Sequence, residues 1–260
     1  MSLAYTQERA DELVENLTNV RVSMEQVLQS KDSAAQEARL VAVSKLKPAS
    51  DILAVYEKAG HRHFGENYVQ ELEGKSKELP GDIQWHFIGS LQSNKCKVVA
   101  AIPNLFVVET VDSAKKATTL DKACAAAARP EPLRIFLQVN TSGEESKSGM
   151  QPTEALEVAQ HVVSTCSHLK LAGLMTIGSP NPDLENGDNP DFKLLGQCKS
   201  TVEEALNIRD LELSMGNNDE SVNANADDNN TDDGNDDDGN GTDDGSTIFG
   251  ARPPFQKTGA

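Results

Sequence analysis

From residue 40 to residue 215 the chain alternates between short apolar runs and longer stretches whose apolar positions recur every three or four residues. The first spacing predicts strands and the second amphipathic helices. A helix is expected first over 6–30, where Leu13, Leu17, Val20, Met24 and Val27/Leu28 form one apolar stripe with acids between them. A buried strand follows at 40–45. The next helix runs over 48–59, with Pro48 in its first turn, Ile52, Val55, Tyr56 and Ala59 on one face, and Gly60 as its stop. The same pairing of strand and helix then recurs: 62–67 with 68–78, 84–89 with 92–101, 105–110 with 113–128, 133–140 with 152–166, and 169–177 with 192–206. A last strand is expected at 211–215. Strands alternating with helices imply a parallel sheet. Seven such units point to an α/β fold of the (β/α)8 TIM-barrel kind with its eighth unit incomplete. An open doubly wound sheet is the rival arrangement.

The pattern stops after Gly216. Residues 217–244 are Asn, Asp and Gly with almost no apolar side chain, and they hold eleven Asp and Glu without a Lys or Arg. Such a run cannot bury a face, so a disordered segment is expected there, where the eighth unit should be completed. Order is expected to resume at Gly245-Ser246-Thr247-Ile248-Phe249-Gly250, with 253–260 as a flexible tail and 1–252 as one domain.

Composition then narrows the function classes. The chain has 260 residues with 24 basic and 41 acidic side chains, a formal charge of −17. The eleven carboxylates of 217–244 take it there from −6. An acidic chain is a poor nucleic-acid binder. The cysteines Cys96, Cys124, Cys166 and Cys198 are far apart, with neither CxxC nor metal-ligand spacing, so reduced structural thiols are expected. No apolar run approaches the roughly 18 residues of a membrane helix. The start of the chain has no secretory signal pattern, and Asp11, Glu12 and Glu15 argue against a mitochondrial transit peptide. A cytoplasmic location is expected, with an imported mitochondrial pool as the alternative.

Candidate chemistry is sought where barrel strands end at their carboxyl side. Lys45 stands at the end of the first strand, where partial desolvation favours the free amine that Schiff-base chemistry needs. Lys47 is the rival amine, already in the loop. Glycine- and serine-containing loops, Ser214-Met215-Gly216 and Gly245-Ser246-Thr247, could offer hydroxyl and backbone donors to a phosphate. One lysine with two such loops suits a phosphorylated aldehyde. Each position has a plainer reading: Asn67 as the cap of the next helix, Glu66 as a salt-bridge partner inside the barrel, His86 as a satisfied core histidine, Met175 as packing, and Gly-Ser-Thr as a turn. Glu109 and Asn140 also fall at strand ends, and Asn140 to Gly149 looks like a surface loop over the site.

Five runs carry a resemblance: Ala42-Val43-Ser44-Lys45-Leu46-Lys47-Pro48, Phe64-Gly65-Glu66-Asn67-Tyr68-Val69-Gln70-Glu71, Trp85-His86-Phe87-Ile88-Gly89-Ser90-Leu91-Gln92-Ser93-Asn94-Lys95, Gly173-Leu174-Met175-Thr176-Ile177 and Ile248-Phe249-Gly250-Ala251-Arg252. Together they resemble the pyridoxal phosphate homeostasis protein family, a single-barrel relative of the alanine racemase N-terminal domain. The resemblance implies pyridoxal 5'-phosphate held as a Schiff base on Lys45, with Asn67, Ser214, Met215, Gly216, Gly245, Ser246 and Thr247 lining the cofactor. It also implies a cofactor-binding role in vitamin B6 homeostasis without turnover, in a monomer, with PLP-dependent apoenzymes as possible recipients. The chain departs from the family's pattern over 217–244: the second serine of the phosphate loop, the seventh barrel helix and most of strand eight are missing, and Asp243 stands where the family has an arginine. Three rival readings are an amino-acid racemase, a cofactor-free Schiff-base aldolase acting on a sugar phosphate, and a non-binding interaction protein that works through its acidic run. Racemases of that type add a C-terminal β domain carrying a second base, and only eight residues follow Arg252.

Overall fold

A computed structural model describes residues 3–30, 38–144, 147–179 and 189–215. Helix α1 (Gln7–Ser30) comes first. Then follow β1 (Ala42–Val43), α2 (Ala49–Ala59), β2 (His63–Glu66), α3 (Val69–Glu78), β3 (Gln84–Phe87), a short 3-10 turn (Ser93–Lys95) and α4 (Cys96–Ala100). The remainder is β4 (Leu105–Val111), α5 (Ala114–Ala126), β5 (Leu133–Gln138), a 3-10 turn (Pro152–Glu154), α6 (Ala155–Thr165), β6 (Leu169–Thr176), α7 (Pro190–Leu206) and β7 (Glu212–Met215). The expected element order holds. The single helix expected over 92–101 is instead a 3-10 turn followed by the five-residue α4.

Local chemistry accounts for the boundaries. Gly60 ends α2 in the left-handed region at φ 62°. The Ser113 hydroxyl starts α5 by accepting from Lys116 N at 3.3 Å. Asn189 caps α7, its side chain accepting from Asp191 N, and Pro190 takes the first helical position.

The strands form one seven-stranded sheet in the order β1 to β7, every neighbouring pair parallel. A doubly wound sheet reverses its strand order at a switch point; this one advances without reversal. It also curls. Six strand spacings of about 4.8 Å would put β1 and β7 about 29 Å apart in a flat sheet. Yet Arg39, just before β1, pairs with Glu212 of β7, and Ser214 of β7 reaches Glu109 of β4 at 2.6 Å. The curl gives a half-barrel. The expected strand eight and the acidic run at 217–244 lie outside the described residues.

The main core fills the layer between the convex side of the sheet and the helices, with Leu17, Ile52, Phe64, Leu72, Trp85, Phe87 and Leu120 fully buried. A smaller cluster, Val107, Phe136, Ala172 and Met175, lies separately from it. It sits on the other face of the strands, as the alternation of β5 shows: Ile135 and Leu137 belong to the main core and Phe136 to the small cluster. Met175 is therefore packing, as its type suggests. All four cysteines are free and buried, and burial raises their thiols, Cys124 to about 11. They are inert structural side chains.

His61 ties this fold to α1. Its Nδ1 takes a hydrogen from Arg21 at 3.1 Å, so the ring proton sits on Nε2 and is given to the His63 carbonyl at 2.8 Å. Burial, then the Arg21 charge, lowers its pKa from 6.5 to about 4. The neutral ring belongs to the folded state, so its share of stability is present above pH 6.5 and lost as the pH falls toward 4. That share is up to about 3 kcal/mol. Thermal unfolding followed from pH 7 to pH 4 should show this acid loss, and His61→Gln should flatten it by about one proton's worth of slope.

Candidate functional site

The carboxyl end of β1 is a tight turn held from behind. Lys47 N donates to Ser44 O at 3.1 Å, which puts Lys45 and Leu46 at the two central positions. Leu46 adopts φ 59° and is 73% exposed. A branched apolar residue in the left-handed region costs about 1–2 kcal/mol, and burial does not offset it here. The turn is kept in this shape by hydrogen bonds. Leu46 N donates to Glu71 Oε2 at 2.9 Å. Lys75 Nζ, on a side chain 10% exposed, donates to Ser44 O at 2.8 Å, Glu66 Oε1 at 2.8 Å and Glu71 Oε2 at 2.7 Å. Ser44 Oγ completes the cluster by donating to Glu66 Oε1 at 2.6 Å.

Lys75 thus spends all three ammonium hydrogens on one backbone carbonyl and two carboxylates. Glu66 is fully buried; burial raises its pKa, and the bonds from Lys75 and Ser44 oppose that rise. Glu66 is a salt-bridge partner, but outside the barrel rather than inside it: the pair lies on the convex side, against α3. Ala42 belongs to the convex core and Ser44 meets Glu66 on that side; Lys45 follows in the turn, at the carboxyl-end mouth of the half-barrel.

Asn67 follows β2 at that mouth. Helix α3 starts after Tyr68 with no side-chain cap, so Asn67 is not the cap that its position suggests. Its Oδ1 is shielded and has no partner among the described residues. The Asn67 main chain is pressed against Gly89, where an added Cβ would fall 1.9 Å from Asn67 O. Only glycine fits that approach.

A second polar chain crosses the concave side. His63 Nδ1 lies 3.0 Å from His86 Nε2, His86 Nδ1 lies 2.7 Å from Glu109 Oε1, and Ser214 Oγ donates to Glu109 Oε2 at 2.6 Å. His86 and Glu109 are wholly buried. His86 is a satisfied core histidine, but its partners come from β2 and β4 rather than from its own strand. The guanidinium groups of Arg39 and Arg134 lie over the Phe106 ring, at 5.2 and 4.9 Å from its centre, and both arginines pair with Glu212.

Of the residues expected to line a cofactor, Lys45, Asn67 and Ser214 gather at the carboxyl ends of β1, β2 and β7. Met215 does not join them: its side chain packs in the convex core, and only its backbone borders the mouth. Gly216, Gly245, Ser246 and Thr247, and Asp243 with them, lie outside the described residues. Among those described, no group of His, Cys, Asp or Glu could hold a metal ion. Lys75 is the residue that sequence reasoning missed. The available signal was its i,i+4 spacing from Glu71, with an apolar Leu72 on the same buried side of α3.

The family profile described as alanine racemase, N-terminal domain, matches residues 20–231. A pyridoxal phosphate homeostasis protein of Pongo abelii is 45% identical over 205 residues, 76% of this chain and 74% of that protein. Its counterpart in Schizosaccharomyces pombe is 42% identical over 214 residues, 82% of this chain and 84% of the other. Among solved structures, PipY of Synechococcus elongatus with PLP bound matches with a TM-score of 0.63 and 30% identity, over 78% of this chain and 88% of PipY. The chain belongs to the alanine racemase N-terminal domain family and, within it, to the pyridoxal phosphate homeostasis proteins.

The clamp on the lysine turn predicts its own energetics. Lys75→Met leaves Glu66 buried without its cation and should cost about 3–5 kcal/mol in urea unfolding. Leu46→Gly removes the backbone strain against a smaller loss of unfolded-state restriction, so the same measurement should show a gain of about 0.5–1 kcal/mol.

Proposed function

We propose that this chain binds pyridoxal 5'-phosphate reversibly through Lys45 and serves intracellular vitamin B6 homeostasis as a binding protein, without turnover. The observation that carries the reading is the clamped turn: a strained backbone, fixed by the Lys75 cluster, holds Lys45 at the carboxyl end of β1, at the mouth of the half-barrel. The relatives' name and PLP-bound PipY support the same reading.

The residues present fit the cofactor. When bound, pyridoxal phosphate supplies an aldehyde that condenses with a lysine amine, losing water, and a phosphate that needs donors. Lys45 is the amine. Asn67, with its shielded and unpartnered Oδ1, suits a ligand hydroxyl. Ser214, the backbone at Met215, and the loop residues Gly216, Gly245, Ser246 and Thr247 would lie toward the phosphate. We take residues 1–252 as one cofactor-binding unit, a barrel of the alanine racemase type altered over 217–244, and the chain as a cytoplasmic monomer that passes the cofactor to PLP-dependent apoenzymes. No helix among the described residues is long and apolar enough to cross a membrane.

Mixing the purified chain with pyridoxal phosphate should give a visible absorbance band that borohydride removes, and digestion should place the reduced label on Lys45. Lys45→Ala should lose the band entirely. Label on Lys47 or Lys95 would move the site, and a chain that takes up no cofactor would favour the aldolase or interaction readings.

A further inference from the structure

The hydroxyl of Ser214 has one hydrogen, and Glu109 holds it. Ser214 Oγ donates to Glu109 Oε2 at 2.6 Å; Glu109 is wholly buried and Ser214 is 3% exposed. A bond from a hydroxyl to a carboxylate at this distance is charge-assisted, among the stronger hydrogen bonds a protein makes. Glu109 is itself fixed from its other oxygen, since His86 Nδ1 lies 2.7 Å from Oε1 and His63 Nδ1 is 3.0 Å from the far side of the His86 ring. A carboxylate only accepts, so the hydrogen on this contact is carried by His86 Nδ1. The carboxylate is thus oriented by one strand pair and spends its second oxygen on β7.

The consequence follows from counting hydrogens. With its hydrogen given to Glu109, Ser214 Oγ presents lone pairs, and a phosphate presents lone pairs as well. The two repel, and the carboxylate behind them adds a negative charge. Resting on the reading that pyridoxal phosphate is the ligand, we propose that Glu109, oriented by His86 and His63, withholds the Ser214 hydroxyl from the cofactor's phosphate and so limits affinity for the phosphorylated ligand. Glu109 acts through Ser214 as a positioning residue. A carrier that must give its ligand up is served by such a restraint.

Glu109→Gln tests this with little change of shape. The amide oxygen can keep the bond from His86, while its NH2 donates to Ser214 Oγ and releases the hydroxyl hydrogen toward the phosphate. Titrations followed by the absorbance band should show Glu109→Gln binding pyridoxal phosphate about tenfold more tightly. Pyridoxal, which has the aldehyde but no phosphate, should bind within about twofold of the parental chain. Adding Ser214→Ala to Glu109→Gln should remove the gain. A gain shared equally by pyridoxal, or no gain at all, overturns the proposal.

Ser214→Ala alone decides the matter if Glu109→Gln fails to fold. Because it removes lone pairs that face the phosphate, it should not weaken binding of pyridoxal phosphate, whereas a tenfold loss would mean that the hydroxyl already donates to the phosphate and the proposal is wrong. A parental chain that binds neither pyridoxal phosphate nor pyridoxal would overturn the functional reading, and the inference with it. A parental chain that binds both, with no gain in the variant, overturns the inference alone.

Discussion

Curling a parallel sheet brings together side chains from strands that are never hydrogen-bonded neighbours, and everything at this site depends on that closure. In this chain many of the groups brought together are polar. Glu212 of β7 gathers Arg39 and Arg134 around Phe106, and Glu109 of β4 gathers His86 and Ser214. A polar group shut away from water costs several kcal/mol unless it finds a partner. The concave side therefore fixes the curvature by hydrogen-bond geometry as much as by packing. A flatter sheet would take Ser214 from Glu109 and Arg39 from Glu212 at once. The small apolar cluster of Val107, Phe136, Ala172 and Met175 fills part of the remaining space without directing it.

The convex side does complementary work at β1. That strand pairs over only two residues, so its ladder holds little of it in place. What holds its carboxyl end is Lys75, reaching from α3 to the Ser44 carbonyl while satisfying Glu66 and Glu71. A buried ion cluster is a poor source of net stability, because desolvation offsets most of its Coulombic gain. Its value here is directional. Lys75 pins the residue before Lys45, Glu71 pins the residue after it, and the strain at Leu46 is absorbed by both.

Much of this was legible in the sequence. The order of strands and helices followed from periodicity alone, since each strand–helix unit carries its own apolar face. Lys45 could be singled out as the candidate amine because Pro48 closes a short strand just beyond it. What stayed hidden has a common cause. The partner of Glu109 lies 105 residues away and that of Arg39 lies 173 away, and no local spacing encodes contacts that exist only once the sheet has curled. Lys75 sits among Glu71, Glu73 and Lys77, which made it look like one more surface charge on α3. Met215 is a different matter. Strict alternation along β7 forbids Ser214 and Met215 from facing the same side, so a reading by period two would have kept Ser214 and released Met215 to the core.

The two clusters put opposite demands on the same mouth. On the convex side, fixed charges remove freedom from the lysine turn, and a preorganised amine loses less entropy when it is captured, which favours binding. On the concave side, a buried carboxylate occupies the hydroxyl nearest the expected phosphate, which opposes it. Tightness and release in a carrier are separate quantities only if separate groups control them. Here they fall on opposite faces of the sheet and share only β2, where Glu66 belongs to one and His63 to the other, so a substitution in one cluster need not disturb the other. Residues more than about 7–10 Å apart with no shared partner are energetically close to independent. Among the bonds described, Lys75 meets Ser44, Glu66 and Glu71, whereas Glu109 meets His86 and Ser214. On the proposed reading, the hold on the aldehyde and the hold on the phosphate fall to different groups and can be tuned one at a time.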